Sequence, residues 1–376
     1  MREYVTIFLV AAVVTYLLGV VAREVALRTG AVAKVRDRDV HAVPIPYFGG
    51  VAMLGGLGAA YLVAHRLPFL SLSDDRMFHD ASVVLIAGAM ICVLGVLDDL
   101  FELDALTKFG GQVLAAAFLV VNQVQYYSVQ LPGRGQFALD PTQAALLSVI
   151  VVVATVNAVN FVDGLDGLAA GVVGIGAVAF WGFAYTLAAV NEETLAITAA
   201  LLCAALGGAC VGFLPHNFFP ARIFMGDSGS MLIGLVLSGS ALTLTGQFAT
   251  VDLSRGAGGS QASLLPTLLP IILPIAILVV PFADLVLAVI RRTRAGRSPF
   301  APDKQHLHHR LLEIGHSHRR AVLIMWLWAG LIAFGGVLAS LYAGRLTTAI
   351  LAVWVVLTVV MTFVLPRLQR PAGPTT

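Results

Sequence analysis

Long apolar runs separated by short polar islands make up this chain. Runs of spanning length fall at roughly 4–22, 48–65, 81–97, 109–124, 143–161, 168–189, 195–214, 229–248, 264–290, 321–342 and 347–366, taking about 20 apolar residues per membrane-crossing helix. Backbone groups in lipid must be paired within the protein, so the pattern predicts an all-α, polytopic membrane helix bundle of about eleven transmembrane helices. The whole of 1–376 reads as one integral membrane domain. The first run, Tyr4 to Ala22, is too long for a signal-peptide core and lacks a small-residue cleavage site after it, so it reads as a retained span. Pro266, Pro270, Pro274 and Pro281 interrupt the ninth run. Each removes a backbone donor and crowds the preceding turn, which predicts a bent or broken helix there.

Composition agrees with the pattern. At 59% hydrophobic and 12% charged residues, the chain falls far below the roughly 25% charged content of soluble domains. Cys92, Cys203 and Cys210 lie in apolar runs without C-x-x-C spacing and read as small buried hydrophobes. The net charge of +2 matters less than its distribution. One set of alternate loops holds Arg23, Arg28, Lys34, Arg36, Arg38, Lys108, Arg222, the Arg291 to Arg320 cluster, Arg367 and Arg370. The other holds Arg2, Arg66, Arg76, Arg134, Arg255 and Arg345. The positive-inside rule places the first set in the cytoplasm, with the N-terminus outside and the C-terminus inside; the plasma membrane is the expected site of residence. The outer connections, Asn122 to Gln143 and Ser254 to Ser263, carry no acidic or histidine cluster and read as solvated linkers. Gly49, Gly50, Gly55 and Gly56 are expected to serve close helix packing.

Four polar islands share the cytoplasmic side. Asp98 and Asp99 close the third span, with Lys108 starting the next. Adjacent carboxylates repel, so the pair calls for a divalent cation, a cationic group or a proton, unless it is simply a solvated acidic loop. In the second island Asn157, Asn160, Asp163 and Asp166 recur every third position. On a helix, neighbours three apart share a face, so successive members are expected to address a common ligand. Intramembrane polar groups default to function. The third island carries Asn217 between Pro215 and Pro220, then Phe224, then Asp227 in Met-Gly-Asp-Ser-Gly-Ser at the start of the eighth span. Asp227 there reads either as a helix N-cap or as part of a phosphate site. The fourth island ends in Lys304, His306, His308, His309 and Arg310. No cysteine or second cluster completes a transition-metal site, so contact with phosphate oxygens is the expected role.

In this order the islands resemble the polyprenyl-phosphate N-acetylhexosamine-1-phosphate transferases, the membrane superfamily that includes phospho-N-acetylmuramoyl-pentapeptide transferase. The resemblance runs from His41-x-x-Pro-x-Pro-x-x-Gly-Gly50 through LDD, NAVNFVDGLDGLAAG and MGDSGS to RSPFAPDKQHLHHRLL. The last string is similar to the N-acetylglucosamine-1-phosphate branch. Asp39 and Tyr47 depart from the common pattern of the first loop.

The resemblance implies a magnesium-dependent enzyme, with manganese as a possible substitute, that takes UDP-N-acetylglucosamine and a polyprenyl phosphate in the bilayer and starts a cell-envelope glycan. It implies Asp227 as leading metal ligand, with Asp98 and Asp99 beside it as further ligand or base. It further implies a nucleoside pocket of Asn160, Asp163, Asp166 and Phe224, with Asn157 and His41 among the substrate-binding residues. Phosphates would be held by Lys108, Asn217, His306, His308, His309 and Arg310. A homodimer is expected and a nucleic-acid partner is not. Two rivals are a phospho-N-acetylmuramoyl-pentapeptide transferase and, from another class, a proton- or cation-coupled transporter, whose carboxylates would sit near the midplane. Asp284, in the ninth run, fits that last reading best.

Overall fold

The computed structural model of the chain describes residues 1–32, 44–73, 75–131, 135–190, 196–245, 293, 316–342 and 344–364. Among these the protein is almost wholly helical. In chain order come α1 (Arg2–Thr29), α2 (Gly49–Ala64), the single turn α3 (Pro68–Ser71), α4 (Asp75–Phe101) and α5 (Ala105–Val121). A hairpin β1 (Ser128–Leu131) and β2 (Gly135–Ala138) leads to α6 (Pro141–Val162), α7 (Leu168–Val190), α8 (Ala196–Asn217) and α9 (Gly226–Thr245). The last helices are α10 (His318–Leu341) and α11 (Arg345–Val359), the latter ending in a wide turn over Val360–Val364. Eight of these helices are long and apolar enough to cross a membrane, and α2 and α5 are shorter apolar helices. Ten of the expected spans thus coincide with helices, while the proline-interrupted run lies outside the described residues. This is a multi-pass membrane protein.

Packing sorts the helices by depth. In α9, 94% of the apolar window is buried against other helices, whereas in α11 the share is 11%. α9 is therefore the inner helix and α11 an outer one. α8 packs against α1, α2, α7 and α9, and its face is lined by residues such as Cys203, Leu206, Cys210 and Phe213, none of them exposed. Without a hydrophobic drive between helices in lipid, close contact depends on small residues. A Cβ on Gly95 of α4 would overlap the Ser228 backbone, and one on Gly50 of α2 would overlap Gly229. Those two glycines let α2 and α4 close on the N-terminal turn of α9; Gly50 is one of the glycines expected to serve packing, and Gly95 is not.

The Asn122 to Gln143 connection differs from a solvated linker. Its middle pairs antiparallel, Ser128 opposite Ala138 and Gln130 opposite Gln136. Val124 and Tyr126 are buried, and the Tyr126 amide donates to Ser148 Oγ of α6 at 2.9 Å. The alternation Val-Gln-Leu against Gln-Phe-Ala around a Pro-Gly sequence suits a hairpin, and the tyrosine has apolar wall to pack on. Asp140 then starts α6 with a reciprocal capping box to Gln143.

Candidate active site

The turn between α4 and α5 is built by its own acids. Glu102 takes φ 51° and closes α4, and Asp104 caps α5 by accepting the Leu106 and Thr107 amides at 3.0 Å each. Asp98 receives the Leu103 amide on Oδ1 at 2.9 Å. These local bonds put Lys108 in the first turn of α5, facing back. Its Nζ donates to Asp98 Oδ2 at 2.7 Å and also to Asp227 Oδ2 on α9.

Asp98 and Asp99 divide their work. Asp99 accepts the backbone amides of Asp227 at 2.8 Å and Ser228 at 3.3 Å, so its carboxylate caps α9 from a neighbouring helix. Anions are favoured there, because the first amides of a helix have no partner within it. Gly226 permits this approach: its φ is +68°, and a Cβ would strike the Asp99 carboxylate. With the cap supplied by Asp99, Asp227 is not the N-cap of α9. Its side chain turns inward, where Oδ1 accepts Asn160 Nδ2 at 2.9 Å.

The second island is a helix end, not a continuous helical stripe. α6 stops at Val162 and Asp163 is its C-cap residue, so Asp163 and Asp166 do not share a helix face. Gly164 follows the cap directly and Gly167, at φ +77°, turns the chain into α7. Asn160 Nδ2 also reaches Ser230 Oγ at 2.9 Å. Half-buried Asp163 lies among Asp227, Asp99 and Asp166; burial, reinforced by those charges, pushes its carboxyl well above the usual carboxylate range. Asp166 is buried and receives the Ala221 amide at 2.9 Å. Asn157 lies one turn deeper, where its Nδ2 donates to Gln112 Oε1 at 2.6 Å and to the Val153 carbonyl at 2.8 Å.

Buried Asn217 ties two loops together. Its Oδ1 accepts the Gly167 amide at 3.0 Å, and its Nδ2 donates to the Ile223 carbonyl at 3.1 Å. Both amide atoms are therefore used by the protein, which makes Asn217 a clamp between the 163–167 and 218–224 segments. The first loop returns to the same place. The Phe224 amide donates to the Pro46 carbonyl at 2.9 Å, and the Gly49 amide to the Phe224 carbonyl at 3.1 Å. The half-buried Phe224 ring stands 6.4 Å from the Tyr47 ring, centroid to centroid. From α10, Arg319 Nε donates to the Phe219 carbonyl at 3.1 Å and Trp326 packs on Phe218.

Asp98, Asp99, Lys108, Asn160, Asp163, Asp166, Asn217, Phe224 and Asp227 thus gather at one end of the bundle, where α4, α6 and α8 finish and α5 and α9 begin. That position, away from the midplane, disfavours a coupled transporter. His41, His306, His308, His309, Arg310 and Asp284 lie outside the described residues. Sequence reading missed Ser230 and Gln112, although Gln112 is the one strongly polar side chain in α5 past Lys108, one turn on. Among the described residues no three His, Cys, Asp or Glu side chains form a metal cage.

An apolar helical bundle with an acid-rich, lysine-bridged site at one end defines a membrane-embedded protein with a polar site suited to a charged ligand. Similarity makes the class specific. The glycosyl transferase family 4 profile matches residues 81–245, which hold most of this site. A decaprenyl-phosphate N-acetylglucosaminephosphotransferase of Mycolicibacterium smegmatis is 45% identical over 100% of this chain and 90% of its own length. A probable undecaprenyl-phosphate N-acetylglucosaminyl 1-phosphate transferase of Bacillus subtilis is 32% identical over 87% of this chain and 82% of its own. An undecaprenyl-phosphate alpha-N-acetylglucosaminyl 1-phosphate transferase of Salmonella typhi is 28% identical over 90% and 84% respectively. The chain belongs to glycosyl transferase family 4.

Proposed function

We propose that this protein transfers N-acetylglucosamine 1-phosphate from UDP-N-acetylglucosamine to a polyprenyl phosphate, decaprenyl or undecaprenyl, releasing UMP. The observation that carries the reading is the Asp98–Lys108–Asp227–Asn160 constellation on a chain similar along its full length to a decaprenyl-phosphate enzyme. In the reaction an oxygen of the lipid phosphate bonds to the sugar-bearing phosphorus, and the bond from that phosphorus to the UMP oxygen breaks. A phosphate monoester has a second pKa of about 6, so the nucleophile is largely ionised at neutral pH and needs little base assistance. Lys108 offers a fixed ammonium to phosphate oxygens, and Asp98 and Asp227 hold it in place. Asn160 fixes the orientation of the Asp227 carboxylate.

Magnesium fits the donor set. Asp98, Asp227 and the Asn160 amide present oxygen without sulfur or imidazole, and the two carboxylates share a single ammonium. Magnesium typically takes one or two carboxylates and completes its shell with substrate phosphates and water. Asp227 with Asp98 would hold it, and manganese would be accepted by the same oxygens. When bound it supplies charge neutralisation at the diphosphate.

The deciding assay is UMP release from purified protein given magnesium, decaprenyl or undecaprenyl phosphate and a panel of UDP-sugars. UDP-N-acetylglucosamine should support lipid-dependent release at least tenfold better than UDP-N-acetylmuramoyl-pentapeptide, a margin within reach of a few hydrogen-bonded contacts. The reverse preference moves the protein to the pentapeptide branch, and silence with every donor overturns the reading.

The site faces the cytoplasm of the plasma membrane in this proposal, where nucleotide sugars are available. In a variant without its native cysteines, a cysteine at Ser128 or Ser260 should label from outside intact cells, and one at Ser298 only after permeabilisation. Outside labelling at Ser298 refutes the orientation.

A further inference from the structure

One helical turn beneath the lysine-bridged site lies a second polar layer. Lys108 to Gln112 on α5 is four residues, Asn160 back to Asn157 on α6 three, and Asp227 to Met231 on α9 four. At a rise of about 1.5 Å per residue, each step moves roughly 4.5–6 Å along its helix, away from the site's end of the bundle. Gln112 is 2% exposed. Its Oε1 accepts Asn157 Nδ2 at 2.6 Å, while its Nε2 points at Asn157 Oδ1 and Met231 Sδ, 3.4 Å from each. The second proton of Asn157 Nδ2 goes to the Val153 carbonyl. All four polar atoms of the two amides are engaged, as they must be where no water competes.

What makes the pair consequential is that, among the described residues, it is the directional contact of α5 beyond its first turn. Its buried face consists of Gln112, Ala115, Ala116 and Leu119. The contacts of its alanines and leucine, together with the partly buried Val113 and Phe118 on the core and Gly111 close against Leu94, are apolar, and apolar contacts in lipid carry little directional preference. The reciprocal amide pair is directional. It accepts one register between α5 and α6 and, through Met231, one placement against α9.

We propose that Gln112, paired with Asn157, is a positioning residue of this enzyme: it sets the register and rotation of α5 and so places the Lys108 ammonium between Asp98 and Asp227. Asn157 then serves helix register and does not contact substrate. The inference rests on the transferase reading above, and the tests separate the two. If wild-type protein releases no UMP, the reading fails; if wild type is active and the variants below behave as wild type, the inference alone fails.

Gln112→Met keeps length and apolar volume but removes the amide. It should fold, judged by a monodisperse size-exclusion profile and an apparent Tm within a few degrees of wild type. Its kcat should fall about 10- to 100-fold, the scale for displacing a catalytic group by a fraction of an ångström to one ångström. KM for UDP-N-acetylglucosamine should change less than twofold. A rise in KM at unchanged kcat would mean that the pair touches substrate, and wild-type kcat would mean that it positions nothing; either overturns the proposal. The second test exchanges the partners. Gln112→Asn alone and Asn157→Gln alone alter the reach of the pair and should each lower kcat. Together they restore the summed length across the interface and should recover most of the loss. A double variant no better than the worse single one overturns the pairing argument, including where Gln112→Met proves unstable.

Discussion

Asp227→Asn is expected to lower the turnover of UMP release by about 10²-fold or more, the scale of losing one preorganised electrostatic contact. The substituted amide retains an acceptor for Asn160 Nδ2 but turns an NH₂ group toward the Lys108 ammonium, replacing attraction by a donor–donor conflict. It also removes the anionic oxygen that magnesium prefers to a neutral amide. The α9 cap remains, because Asp99 supplies it. Folding should therefore hold while the magnesium dependence of the rate shifts to higher concentration. UMP release titrated against magnesium for wild type and variant, with size-exclusion profiles alongside, checks this. Coincident curves would remove Asp227 from the site.

Lys108→Met should be as damaging, for a different reason. It leaves Asp98 and Asp227, whose side chains are 12% and 27% exposed, facing each other without their shared cation. Removing one member of a partly buried ion pair costs about 3–5 kcal/mol at the upper end, so the variant should lose apparent Tm as well as about 10²-fold or more in turnover. A companion change separates structure from chemistry. Adding Asp98→Asn restores the charge balance and should recover most of the Tm, while turnover stays low because no ammonium meets the phosphates and one of the two carboxylates proposed for magnesium is gone. Recovery of turnover together with Tm would reduce Lys108 to a structural counter-ion.

The two acids of the Asp98-Asp99 pair show where sequence reading stops. Their adjacency signals an electrostatic problem, and the sequence poses it correctly. The solution lies on other helices: Asp98 meets Lys108 after the α4–α5 turn, and Asp99 meets the amides of α9, 128 residues on. Asp227 was legible as functional from its Met-Gly-Asp-Ser-Gly-Ser setting, but the choice between cap and inward-facing ligand depended on a second carboxylate reaching the helix start. For Asn217 the resemblance implied a phosphate contact, and its place between two prolines could not reveal that both amide atoms join two loops. Gln112 shows the converse case. It is the one strongly polar residue of α5 past Lys108, visible in the sequence yet without meaning until its partner is known.

Local chemistry by itself determined which stretches are helices in a membrane, since every backbone group in lipid has to be paired and apolar runs of about 20 residues meet that need within themselves. It also determined which residues are too costly to place there without a purpose. Tertiary packing decided everything that depends on two helices meeting: which aspartate receives the lysine, which one caps α9, and which asparagine faces the site instead of a neighbouring helix. Apolar faces in lipid are nearly interchangeable, so helix arrangement follows from glycine contacts such as Gly95 on Ser228 and from polar pairs between distant segments. Periodicity within one segment carries no record of its partner.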